Sequence, residues 1–176
     1  HILLAVVNMT HSLTEINSLT EDEFVLLFGS IYEKTPSIAQ QTWISCPFKS
    51  LTDLHEHMVD VVNHLSNDDK LKLIRSHPDL GSRMKMSSES VNEQSSLGLD
   101  RLTPDEYKQF QQINDEYKQK FGIPFICAVK HHKTREAILR AYEERLKHDT
   151  IDKEIEQALI EINQIAKFRL MDLVQE

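Results

Sequence analysis

Thr103-Pro104-Asp105-Glu106 and Gly122 bound a helix from both ends. A Thr N-cap, Pro at the first helical position and Glu three residues after the cap satisfy the first orphan backbone N–H groups. Glycine lets the chain leave the last turn in a left-handed conformation. Between them Tyr107, Phe110, Ile113, Tyr117 and Phe121 keep the spacing of a helix face. The same signal recurs along the chain. Thr20 to Glu23 is a second capping box, ahead of Phe24, Leu27, Phe28 and Ile31. Thr35-Pro36 opens another helix with Pro in its first turn. Ser50 precedes Leu51, Leu54, Met58, Val61 and Leu65, and Ser66 to Asp69 leads into Leu71 and Ile74. Thr134 precedes Ala137, Ile138, Ala141 and Leu146. Thr150 precedes Ile151, Ile155, Leu159, Ile162, Ala166 and Leu170. Four glycines and five prolines in 176 residues leave too few turns for a β-sandwich or barrel. The expectation is an all-α chain, a single domain of about seven to nine helices around one core.

Three stretches depart from helical order. Ile123 to Val129 is short, apolar and contains Pro124, so it reads as a buried extended segment. Ser76 to Ser90 mixes Pro, Gly and serines with little periodicity and reads as a loop of functional length. Lys130-His131-His132-Lys133 is a polar connector. Met9-Thr10-His11 resembles a natural start, so residues 1–8 are read as a leader or an alternative start and residues 9–176 as the domain.

Charge narrows the partners. Twenty Lys and Arg against 28 Asp and Glu give a formal net charge of −8, which disfavours a nucleic-acid partner. The densest apolar run, Ile2 to Val7, is too short to span a bilayer, so no membrane partner is expected. Cys46 and Cys127 form no disulfide framework and no metal-ligand spacing, which fits a reducing compartment, the cytoplasm. On a helix His55 and His57 point about 200° apart and read as surface histidines. His131-His132 reads as a solvated pair, and Tyr107, Phe110 and Tyr117 as core with hydroxyls reaching outward. No metal site is expected.

Three polar clusters carry candidate chemistry. His77-Pro78-Asp79-Leu80-Gly81 follows a helix at the mouth of the long loop. Pro78 biases His77 away from helical geometry, so its imidazole projects at a helix end. It can exchange protons near neutral pH, or it is a surface His before a turn-forming Pro. Ser90, Glu93 and Gln94 share one face if helical and could read the edges of a small polar heterocycle. On spacing alone, Ser90 to Glu93 reads first as an N-terminal capping box. Arg169 stands beside an apolar stripe, as an anchor for a carbonyl or carboxylate or as a snorkelling surface side chain.

In order, the chain carries His77-Pro78-Asp79-Leu80-Gly81, then Ser90, Glu93 and Gln94 with Gly98-Leu99. Phe121-Gly122-Ile123-Pro124-Phe125-Ile126 follows, and Ile165-Ala166 with Arg169-Leu170 closes the series. In this it resembles the OHCU decarboxylases, whose substrate is 2-oxo-4-hydroxy-4-carboxy-5-ureidoimidazoline (OHCU). Ile31 to Pro36 and Pro47-Phe48 resemble the family's early helices, and the likeness runs from about Leu13 to Leu173. It looks most like the form that some bacilli fuse ahead of a urate oxidase, so a urate oxidase domain after Glu176 is an expectation. The resemblance implies an all-α fold, a homodimer, no metal and no organic cofactor. It implies decarboxylation of OHCU to (S)-allantoin, with His77 and Glu93 catalytic and Pro78 helping to orient His77. It places Ser90, Gln94 and Arg169 at substrate-binding positions, with Phe125 and Ile126 in a stretch whose backbone contacts the ring. Two departures stand out: Cys46 replaces an Arg common before Pro-Phe, and the loop between His77 and Ser90 is short beside some members. A non-catalytic helical module that dimerises or tethers a fused enzyme, or a related hydrolase, are the competing readings.

Overall fold

The protein is described by a computed structural model over residues 9–85 and 98–176. Among these residues there are eight α-helices: α1 Leu13–Asn17, α2 Glu21–Phe28, α3 Ser37–Trp43, α4 Leu51–Asn63, α5 Asn67–Ser76, α6 Pro104–Phe121, α7 Arg135–Leu146 and α8 Ile151–Leu173. The all-α expectation holds. None of the described helices is long and apolar enough to cross a membrane. The described residues divide into two compact units, one of residues 9–76 with 162–176 and one of residues 77–85 with 98–161.

In the first unit, α2 packs on α3 and α3 on α4. Thr20 forms its capping box with Glu23, and Ser50 Oγ accepts the Asp53 N–H at 2.9 Å. Pro36 sits at the N-cap of α3, one residue earlier than the first turn where the sequence puts it. Phe24, Leu27 and Phe28 of α2 are buried with Ile38, Leu54 and Met58. Phe24 meets Phe28 edge-on, with ring centroids 4.8 Å apart, and stacks on Phe48 at 5.9 Å. Val62, and not the expected Val61, completes the buried face of α4. Asn17 grips Phe48 on both sides, donating to its carbonyl at 2.9 Å and accepting its N–H at 2.8 Å. A two-residue parallel ladder joins β1, His11–Ser12, to β2, Val174–Gln175. Tyr32 donates to Asn163 Oδ1 at 2.7 Å, and the Asn163 carbonyl meets His55 Nε2 at 2.7 Å. His55 is therefore half-buried and bonded, not the surface group its spacing from His57 suggests.

In the second unit, α6 packs against α7 and against a 3₁₀ turn at Leu80–Arg83. Both ends of α6 follow the sequence: Thr103 and Glu106 form a capping box, and Gly122 ends the helix at φ 67°. The buried face of α6 carries Phe110, Asn114, Tyr117 and Phe121. Asn114 occupies the place the apolar pattern assigns to Ile113. Tyr117 is fully buried and its hydroxyl donates inward to Glu154 Oε1, a correction to the expectation that it reaches out. Residues Ile123 to Ala128 run without helix or strand, Val129 opens a 3₁₀ turn, and all seven are buried apart from a half-exposed Pro124. Thr134 caps α7 by accepting the Ala137 N–H at 3.1 Å. The α8 stripe begins later than expected: Ile151 is exposed, and the buried positions are Glu154, Ala158, Leu159, Ile162, Asn163, Ala166 and Leu170.

Candidate active site

His77 follows directly on the last residue of α5, as the proline after it requires. Its side chain is buried, at 5% exposure, whereas Pro78 is exposed. The His77 Nε2 atom is fully buried, and the imidazole interacts with its surroundings. The next residues are fixed one by one. Asp79 caps the 3₁₀ turn by accepting the Ser82 N–H at 2.8 Å, and its other oxygen pairs with Lys118 Nζ at 3.1 Å. Leu80 N–H donates to the Phe125 carbonyl at 2.9 Å, tying this segment to the extended one. Gly81 packs so closely on α6 that a Cβ there would stand 2.4 Å from Asn114 Nδ2. Asn114 Oδ1 in turn accepts the Tyr142 hydroxyl at 2.9 Å. Glycine at 81 is thus a packing requirement.

Aromatic and ionic groups brace the extended segment. The Phe125 ring stacks on Tyr142 with centroids 3.5 Å apart and meets Tyr117 edge-on at 5.0 Å. The Arg145 guanidinium lies 4.3 Å from the Phe125 centroid. Its Nη1 donates to the Ile126 carbonyl at 2.5 Å, its Nε to Glu154 Oε1 at 2.8 Å and its Nη2 to the Tyr117 hydroxyl at 3.3 Å. His148 Nδ1 bonds the second Glu154 oxygen. A buried carboxylate is tolerable because each oxygen has a partner. Burial pushes the Tyr117 and Tyr142 hydroxyls well above their ordinary range, so both stay protonated donors. The Cys127 thiol, also buried, is pushed up to about 12, with the Glu161 carboxylate adding to the effect.

Of the residues singled out by sequence, His77, Pro78, Phe125 and Ile126 lie in the second unit, joined through the Leu80–Phe125 hydrogen bond. Arg169 lies in the first unit. There it donates to the Ile31 carbonyl at 3.0 Å and pairs with Glu33 Oε1 at 2.5 Å. Ser90, Glu93 and Gln94 fall outside the described residues. The sequence reading missed Arg145, Glu154, Asn114 and Tyr142. A signal existed for two of them: Arg145 and Glu154 put charges where the 3.6-residue period of α7 and α8 calls for apolar side chains. Among the described residues one group combines metal-ligating side chains: Cys127 Sγ and ligand atoms of His132 and Glu161 lie within 4.8 Å of one another.

A family model described as OHCU decarboxylase matches residues 17–171. A 2-oxo-4-hydroxy-4-carboxy-5-ureidoimidazoline decarboxylase of Halalkalicoccus jeotgali is 43% identical over 159 residues, covering 90% of this chain and 89% of that protein. A uric acid degradation bifunctional protein of Bacillus subtilis is 39% identical over 165 residues, 94% of this chain but 33% of that one. Among solved structures, an (S)-allantoin synthase aligns with a TM-score of 0.73 at 28% identity, covering 93% of this chain and 54% of that one. The chain therefore spans about half of that synthase. An OHCU decarboxylase crystallised in the presence of (S)-allantoin aligns with a TM-score of 0.59 at 25% identity, over 76% of this chain and 87% of that one.

Proposed function

The chain belongs to the OHCU decarboxylase family, and on that premise we propose that it converts OHCU to (S)-allantoin and CO₂. The observation that carries the reading is the family match across residues 17–171, which contains the whole His77 to Arg169 series. The reaction asks little of a catalyst beyond placement and one proton. The bond to the carboxylate breaks, and its electron pair is absorbed by the adjacent ring imine. The neighbouring hydroxyl then becomes the carbonyl as a proton arrives on one face of the ureido-bearing carbon. Metal and organic cofactor have no step to perform in this sequence. Positioning and preorganised donors supply most of such a barrier.

His77 is assigned as general acid/base at the substrate hydroxyl and carboxylate, held there by Pro78. Glu93 polarises the ring or relays the proton, and Ser90, Gln94 and Arg169 bind the polar edges. What supports His77 is its burial beside a segment whose neighbours are individually fixed, since a general acid must be held within hydrogen-bond reach of its target. The side chains of Phe125 and Ile126 are fully buried, and their carbonyls already accept from Leu80 and Arg145. Contact with substrate from this stretch therefore falls to its backbone N–H groups, which suit a carboxylate or a developing oxyanion.

The reading includes a cytoplasmic homodimer, supported by the family resemblance and by the absence of a disulfide framework. A urate oxidase domain after Glu176 belongs to it as well, supported by the likeness to the Bacillus subtilis protein. The test is OHCU generated fresh from urate. Its disappearance accelerates in proportion to added protein if the proposal holds, and follows the spontaneous rate if it fails.

A further inference from the structure

Cys127, His132 and Glu161 come from three different pieces of chain. Cys127 lies in the buried extended segment, at 4% exposure. His132 terminates the 3₁₀ turn Val129–His131 that follows, where its N–H donates to the Val129 carbonyl at 3.0 Å. Glu161 projects from the middle of α8. Both His132 and Glu161 are half-exposed, so the group has a buried floor and a side open to water. Their ligand atoms lie within 4.8 Å of one another. A tetrahedral centre with bonds of about 2.0–2.3 Å needs its donors roughly 3.3–3.7 Å apart. The remaining contraction is within reach of side-chain rotation in His132 and Glu161.

We propose that Cys127, His132 and Glu161 form a binding site for a borderline-soft divalent transition cation, Zn²⁺ above all, apart from the decarboxylation chemistry. The donor set selects the class. A thiolate with an imidazole disfavours Mg²⁺ and Ca²⁺, which take oxygen ligands, and suits Zn²⁺ or Co²⁺. Three protein ligands leave the fourth position to water on the open side. On binding, the Cys127 thiol gives its proton to bulk water and the sulfur bonds the metal, with no change of oxidation state. The Glu161 carboxylate, which disfavours a bare thiolate beside it, becomes a co-ligand once the cation sits between them. The site would tie α8 to the extended segment, so occupancy stabilises the second unit.

The experiment is titration of the purified, chelator-treated protein with Co²⁺, followed by competition with Zn²⁺. One equivalent of Co²⁺ should produce a near-ultraviolet thiolate-to-cobalt band that Zn²⁺ abolishes, and Zn²⁺ should raise the thermal midpoint. Cys127→Ser should lose the band and the thermal shift. His132→Ala and Glu161→Gln should each weaken binding by at least about 10-fold. Both are half-exposed and report on the site if Cys127→Ser does not fold. Cys46→Ser should bind as the wild type does. No stoichiometric band, a band retained in Cys127→Ser, or one lost in Cys46→Ser would overturn the proposal. None of these readouts depends on turnover of OHCU.

Discussion

Arg145 holds the carbonyl of Ile126: its Nη1 stands 2.5 Å from that oxygen, while its Nε is 2.8 Å from Glu154 Oε1. The cation that braces the extended segment is itself braced by a carboxylate with no solvent exposure. Tyr117 and His148 complete the carboxylate's partners, so the positioning of residues 125 and 126 rests on a closed polar network. Such a network is strong only when complete.

Removing its centre should be costly. Arg145→Met leaves Glu154 buried without its cation, a loss of about 3–5 kcal/mol. Tyr117→Phe removes one hydroxyl and should cost about 1–3 kcal/mol. Urea unfolding of the three proteins checks the order. A Tyr117→Phe variant less stable than Arg145→Met would show that the hydroxyl, and not the guanidinium, is the keystone.

Gly81→Ala should push Asn114 out of its place and break its bond with Tyr142, because the new Cβ falls 2.4 Å from Asn114 Nδ2. The expected cost is about 1–3 kcal/mol of stability. A lower kcat should accompany it, since Gly81 lies in the 3₁₀ turn Leu80–Arg83 that closely follows His77. Adding Asn114→Ser, which makes room, should recover part of both, as read by unfolding and by turnover of the double variant.

Stability should depend on His55 below neutral pH. Burial lowers the His55 pKa from its ordinary 6.5, Lys167 adds to this, and the Asn163 hydrogen bond and Glu56 oppose it. The unfolded chain therefore binds the proton first as pH falls. The contribution of neutral His55 is complete above about pH 6.5 and is lost as pH drops through the lower folded value. His55→Gln keeps a donor for the Asn163 carbonyl and does not titrate. The stability difference between wild type and variant should be constant above about pH 7 and should shift against the wild type at lower pH. A difference that stays flat throughout would remove His55 from the account.

Arg169 separates structure from binding. It and Glu33 are each about a third exposed, so breaking their pair should cost no more than about 1 kcal/mol. If Arg169 also holds the substrate, Arg169→Lys should raise KM by about 10-fold or more, given the loss of a bidentate contact. An unchanged KM with the same small stability loss would confine Arg169 to the fold.

The helices were legible where caps and periodicity agreed, as at Thr20, Thr103 and Gly122, because those signals are local. The extended segment at 123–129 was legible for the same reason: an apolar run with a proline cannot continue a helix. Faces were less so. Asn114, Arg145 and Glu154 are buried polar residues whose partners are brought together only by the fold, and a hydrophobic pattern does not identify those partners. The same blindness hid the meeting of Cys127 with His132 and Glu161. Their ligand atoms converge only once α8 packs beside the segment, and sequence spacing alone argues against a metal. Arg169 was recognisable as important but not as the group that ties Ile31 and Glu33. The roles of Ser90, Glu93 and Gln94 rest on the family's motif order, as they lie outside the described residues.

The most direct test follows the chirality of the product. Fresh OHCU is incubated with wild type and with His77→Asn, and allantoin is monitored by circular dichroism. The wild type should build a signal of the (S) enantiomer well ahead of the slow spontaneous decay, which gives a racemate and no signal. His77→Asn, folded as judged by its far-ultraviolet spectrum, should be slower by about 10²–10⁴-fold. A racemic product from the wild type, or a variant as fast as the wild type, would contradict the account.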